Sequence, residues 1–158
     1  MVRLHLVRHR TTTLMDKQAR TPHSLLEPGP ELDAAVARTV MRWTSLGAYL
    51  WQDAEGTVYY TGLDPTRVFV PHVVFRPSSD ANQARRVEDQ IRRLGTWQAY
   101  VDALIHDLRL EEHVMHEAGA TGYPAPDDAP VVQQALMHAS SAQRCRAAVA
   151  AGNRVADA

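Results

Sequence analysis

Cysteine is almost missing from this sequence. Cys145 is the only one in 158 residues, so no disulfide can close within the chain, and a reducing, cytoplasmic setting is expected. Lysine is equally scarce, with Lys17 alone beside sixteen arginines. No stretch approaches the roughly 18 consecutive apolar residues that a membrane-spanning helix needs. The opening MVRLHLVRHR carries Arg3, Arg8 and Arg10 and lacks an unbroken apolar core, so no signal peptide is expected. Neither charge sign dominates: the net charge is −1, which gives no global electrostatic case for nucleic acid. Zincin, P-loop, nucleophile-elbow and dinucleotide-binding motifs are all lacking, so no familiar catalytic class is signed in the chain.

What is present is the composition of an ordinary globular domain, 45% apolar and 22% charged, long enough to bury a core without staples. Residues 2–8 alternate apolar and polar like a short strand, and residues 11–29 lose all periodicity. Residues 1–27 therefore read as an N-terminal strand and arm, 28–152 as one domain, and 153–158 as a frayed end. Gly29-Pro30-Glu31 supplies a cap, a first-turn proline and an acid for a helix. Leu32, Val36, Val40 and Trp43 follow at helical spacing up to Gly47. Residues 49–52 and 57–61 read as strands joined by the turn Asp53-Ala54-Glu55-Gly56. Another strand is expected over 68–75, at an edge or broken at Pro71, which has no N–H to donate.

That strand stops at Arg76-Pro77, and Ser78-Ser79-Asp80 opens a helix ending at Gly95. Ser78 or Ser79 is the expected cap, and Asp80 with Gln83 resembles a capping pair. Ala84, Val87, Ile91 and Leu94 form the buried stripe. Glu88 stands four residues before Arg92, and Asp89 four before Arg93, in the favourable order for ion pairs. Residues 96–117 fit a helix, although 100–105 fit a strand as well. Residues 118–128 read as loop and 131–139 as helix. Ser140 and Gln143 are spaced as a capping box for a last helix, with Cys145, Ala148 and Val149 on its inner face and Gly152-Asn153 as its stop.

Several groups are candidates for chemistry. The helix start at Ser78, Ser79 and Asp80, with Arg76 and Arg85 beside it, offers backbone N–H groups to an anion, with Trp43 or Trp51 as stacking partners for a ligand. His106, His113 and His116 with Glu112 and Glu117 have helical spacings that suit a metal, yet a polar helix face is the simpler reading, so no metal and no cofactor is assigned. Leu6-Val7-Arg8-His9 resembles the opening of the histidine phosphatase family, which implies a phosphohydrolase with His9 as nucleophile. Arg10 stands where that family has glycine.

A broader likeness covers most of the chain. Glu31-Leu32-Asp33-Ala34-Ala35-Val36-Ala37 with Val40-Met41-Arg42-Trp43, then Pro77-Ser78-Ser79-Asp80 after a strand, then Ser141-Ala142-Gln143-Arg144-Cys145-Arg146-Ala147-Ala148, resemble the phage ABA sandwich domain family over about 28–152. The resemblance implies a phage or prophage accessory protein with a non-catalytic binding role. Counter-defence is the expected form, through a host protein or a sequestered nucleotide signal; a structural or oligomerising domain is the alternative. The fold expectation is α/β, a three-layer αβα sandwich with a small mixed or antiparallel sheet between helices.

Overall fold

The computed structural model describes residues 26–109 and 130–156. It is an α/β fold in which a small mixed sheet packs against helices. The strand and arm expected over residues 1–25, the LVRH stretch among them, and the segment 110–129 lie outside the described residues.

Helix α1 (Pro30–Thr39) begins as its sequence dictates. Gly29 sits at φ 144°, Pro30 occupies the first turn, and Glu31 and Asp33 face the positive end of the dipole. It ends earlier than expected. The N–H groups of Met41 and Trp43 fold back onto the carbonyls of Val36 and Ala37, and Arg42 adopts a left-handed φ of 57°. Trp43 therefore leaves the helix. It stacks on Tyr59 at 3.9 Å between ring centroids and meets Phe75 edge-on at 4.7 Å.

The chain then turns into strand β1 (Thr44–Gly47), where the sequence still suggested helix. It pairs antiparallel with β2 (Leu50–Gln52), which pairs antiparallel with β3 (Val58–Tyr60). The β2–β3 turn has the expected residues. The Asp53 carboxylate accepts the N–H of Glu55 at 3.1 Å and of Thr57 at 2.7 Å, and Gly56 takes a positive φ of 88°. Trp51 and Tyr59 stand opposite each other on the buried face of this ladder.

A 3-10 turn (Pro65–Arg67), capped by Asp64, leads to β4 (Val73–Val74), which joins β3 in parallel and completes the order β1-β2-β3-β4. Of the strand expected over 68–75, only this short edge forms. Pro71 lies just before it, and Phe75 extends the pairing by donating its N–H to Tyr60 at 2.9 Å.

Helix α2 (Ala81–Arg93) buries Ala84, Val87 and Ile91, as its stripe predicts. The ambiguous segment after it is helix α3 (Trp97–Asp107), with Tyr100, Val101, Leu104 and Ile105 buried. Helix α4 (Pro130–His138) and helix α5 (Ser141–Ala156) complete the described chain. The capping box forms in both directions, Gln143 N–H to Ser140 Oγ at 3.2 Å and Ser140 N–H to Gln143 Oε1 at 2.9 Å.

Helix α5 is the central element, packed against α1, α2 and α3. Its inner face is built from small residues, Ala142, Cys145, Ala147, Ala148, Ala151 and Gly152, which lets three helices approach closely. Gly152 does not stop the helix, which continues through residues 153–156. A β-carbon at Gly152 would lie 2.9 Å from the Thr39 carbonyl oxygen, so this glycine marks the crossing with the end of α1. The rest of the core comes from Leu32, Val36, Ile91 and Leu104, each fully buried and each contributing roughly 1.5–3 kcal/mol relative to exposure.

Candidate functional site

The turn between β4 and α2 is a dense set of polar contacts, and most of them point inward. Ser79 and Asp80 both donate their N–H to the Arg76 carbonyl, at 3.1 and 3.0 Å, which closes the turn. Asp80 is the helix cap, not Ser78 or Ser79: its carboxylate accepts from Asn82 at 2.8 Å and Gln83 at 3.1 Å. The reciprocal half of the expected pair is diverted. Gln83 accepts the Arg76 N–H at 2.6 Å and donates to the Val74 carbonyl at 3.2 Å, fastening the first turn of α2 to the edge strand.

Ser78 serves a longer connection. Its N–H donates to Asp33 Oδ1 at 2.8 Å, and its hydroxyl oxygen accepts the Gly29 N–H at 2.9 Å. Both side chains are buried, Asp33 at 1% exposure and Ser78 at 3%. Burial pushes the Asp33 carboxyl up to about 6 from an ordinary 3.8. The Ser78 hydrogen bonds and the nearby Arg76 charge oppose that rise without cancelling it. Arg76 reaches the carbonyls of Gly62 at 3.3 Å and Leu63 at 3.0 Å, and its buried Nε has no hydrogen-bond partner.

The structure thus brings Arg76, Ser78, Ser79 and Asp80 together, as a structural junction. The positive end of α2 is filled by the chain's own Asp80, where an external anion would sit. Arg85 lies apart on the exposed face of the helix. Trp43 is committed to Tyr59, and buried Trp51 donates its indole N–H to Thr61 at 3.2 Å, so both indoles already have partners within the fold. Asp33 is the residue that sequence reasoning passed over. It stands three and four positions before Val36 and Ala37 on the buried stripe of α1, a spacing that already placed a carboxylate on the inner side.

A second polar cluster lies between the helices. Glu88 does not pair with Arg92. It accepts from the Tyr100 hydroxyl at 2.5 Å and pairs with Arg144 at 2.5 Å, while Arg144 also donates to the carbonyls of Ala139 and Leu136. The Arg92 guanidinium carbon sits over the Trp97 ring, 3.3 Å from its centre. Arg146 pairs with Asp107 at 3.0 Å and donates to the Leu26 carbonyl. Between Arg144 and Arg146, Cys145 is fully buried. Burial is the main cause holding its thiol far above the usual range, and the Asp33 and Glu88 charges add to it against the two arginines.

No set of three histidine, cysteine or acidic side chains converges among the described residues. His106 is in the last turn of α3, and His113 and His116 lie outside those residues. No helix of the described chain is long and apolar enough to cross a membrane.

Among the described residues, exposed apolar side chains are most frequent in the segment from Leu63 to Val73, which leads into the edge strand β4. Leu63, Phe69, Val70 and Val73 are all exposed, Phe69 at 96%. Comparison with protein-family models, with curated proteins and with solved structures finds no match. The likeness to the phage ABA sandwich domain therefore rests on the residues quoted for it.

Proposed function

We propose that this chain is a non-catalytic binding protein that docks a protein partner on the exposed apolar side chains Leu63, Phe69, Val70 and Val73, which lie in and before the edge strand β4. The observation that carries the reading is Phe69 at 96% exposure beside an outermost strand of only two residues. Large apolar side chains this exposed gain from being covered, and a short open sheet edge is a place where a partner chain can add contacts. The polar junction at Arg76, Ser78, Ser79 and Asp80 favours a protein over a nucleotide, because its hydrogen-bonding groups are largely engaged within the chain. The resemblance to the phage family supplies the biological setting: an accessory protein that blocks a host defence effector in the host cytoplasm.

The test is a comparison of the natural chain with Phe69→Glu and Val73→Glu. Both positions are exposed, so the variants should keep the thermal midpoint and lose the partner that the natural chain captures from host lysate. A nucleotide panel is run beside it. A nucleotide that raises the melting temperature would overturn the protein-docking reading in favour of signal sequestration. Turnover of a phosphoester, lost in His9→Ala, would replace both with the phosphohydrolase reading. A shift of the natural chain to dimer in sizing, abolished by Phe69→Glu, would assign the edge to a second copy instead.

A further inference from the structure

The outer face of α2 carries a separate inference. Arg85, Arg86, Arg92 and Arg93 are all exposed on this helix. They form two adjacent pairs seven residues apart, which at the helical rise puts the pairs about 10.5 Å apart along one side. The sequence sets Glu88 and Asp89 among them as neutralising acids. The fold turns Glu88 inward, onto Tyr100 and Arg144, and leaves Asp89 as the one exposed acid among four guanidinium groups. A chain with a net charge of −1 thus has a concentrated positive face.

We propose that this face of α2 binds the phosphate backbone of duplex nucleic acid without reading its sequence. Guanidinium forks match phosphate oxygens two at a time, which a lysine ammonium does not do. The separation of the two pairs is close to the roughly 12 Å width of the DNA major groove, so they reach phosphates on its two sides. Single strands fit less well. The aromatic ring at this face, Trp97, is covered by Arg92 and is closed to base stacking.

The experiment is fluorescence anisotropy with a labelled duplex of about 30 base pairs, from about 50 to 200 mM salt, using the full chain. Three to four phosphate contacts predict a slope of log affinity against log salt near −3. Substituting Arg85→Gln, Arg86→Gln and Arg93→Gln together should weaken binding at least tenfold and flatten the slope, at an unchanged melting temperature. Asp89→Asn should tighten binding several-fold. The proposal is overturned by a natural chain that leaves the duplex free at about 100 μM protein in low salt. Equal binding by the triple variant overturns it as well, as does a poly-glutamate chain that binds this face as tightly as the duplex.

Discussion

Asp33 in α1 accepts the backbone N–H of Ser78, 45 residues farther along the chain, at 2.8 Å. The hydroxyl of the same serine accepts the N–H of Gly29 at 2.9 Å, so one small residue holds the start of α1 against the turn that begins α2. Ser78→Ala keeps the first bond and leaves the Gly29 N–H without its partner. The expected cost is about 1–2 kcal/mol, read as a lower denaturant midpoint with an unchanged slope. A variant as stable as the natural chain would show that water replaces the hydroxyl.

The Asp33 carboxyl makes stability depend on pH in an unusual direction. Burial raises it to about 6, so between about pH 4 and 6 the folded chain holds a proton that the unfolded chain has released. Stability falls as pH rises through that window and levels off above it. The Cys145 thiol, pushed up by burial, stays protonated through that window. Asp33→Asn keeps an acceptor for Ser78 and cannot ionise. From pH 4 to 7 the natural chain should lose on the order of 1–3 kcal/mol relative to this variant. Parallel stability curves for the two proteins would remove Asp33 as the cause.

Arg144 concentrates several bonds in one side chain, reaching Glu88, Ala139 and Leu136 from a largely buried position. Arg144→Ala strands the Glu88 carboxylate beside Tyr100 and should cost about 3 kcal/mol. The double variant with Glu88→Gln should recover part of that loss, because no buried charge is then left alone. A double-mutant cycle in chemical denaturation measures the coupling, and strict additivity would rule out the network.

Gly152→Ala tests the helix crossing. In a solvent-exposed helix this change stabilises by about 1 kcal/mol. Here the new methyl meets the Thr39 carbonyl, so the change should instead destabilise by about 1–3 kcal/mol. Thermal unfolding gives the sign directly.

Local signals were legible in the sequence where neighbouring residues decide the outcome. The Asp53 to Gly56 turn, the Ser140 and Gln143 capping box and the Ala84, Val87 and Ile91 stripe all form as their spacing requires. Tertiary partners were not legible. Trp43 keeps helical spacing with Val40, yet leaves the helix to stack on Tyr59, which no local rule anticipates. Gly152 has the look of a helix stop and serves as a crossing point. Glu88 is placed to pair with Arg92 four residues on, and Arg144, 56 residues away, takes it instead. The turn at residues 77–80 was legible as the start of a helix, and Arg76, Ser78, Ser79 and Asp80 lie together there. Its tie to α1 depended on Asp33, which no local signal singled out although its position on the stripe put it inside.

The fully buried Cys145 equips the chain with its own chemical clock. It is the single thiol of the sequence, and burial holds it in the unreactive protonated form. A thiol reagent should therefore leave the folded protein untouched and modify it only when α5 separates from the surrounding helices. The labelling rate then counts openings of the core, and it should rise in step with the destabilisation of the Gly152→Ala and Arg144→Ala proteins. Rapid labelling of the natural chain under native conditions would mean that the central helix opens independently of the rest.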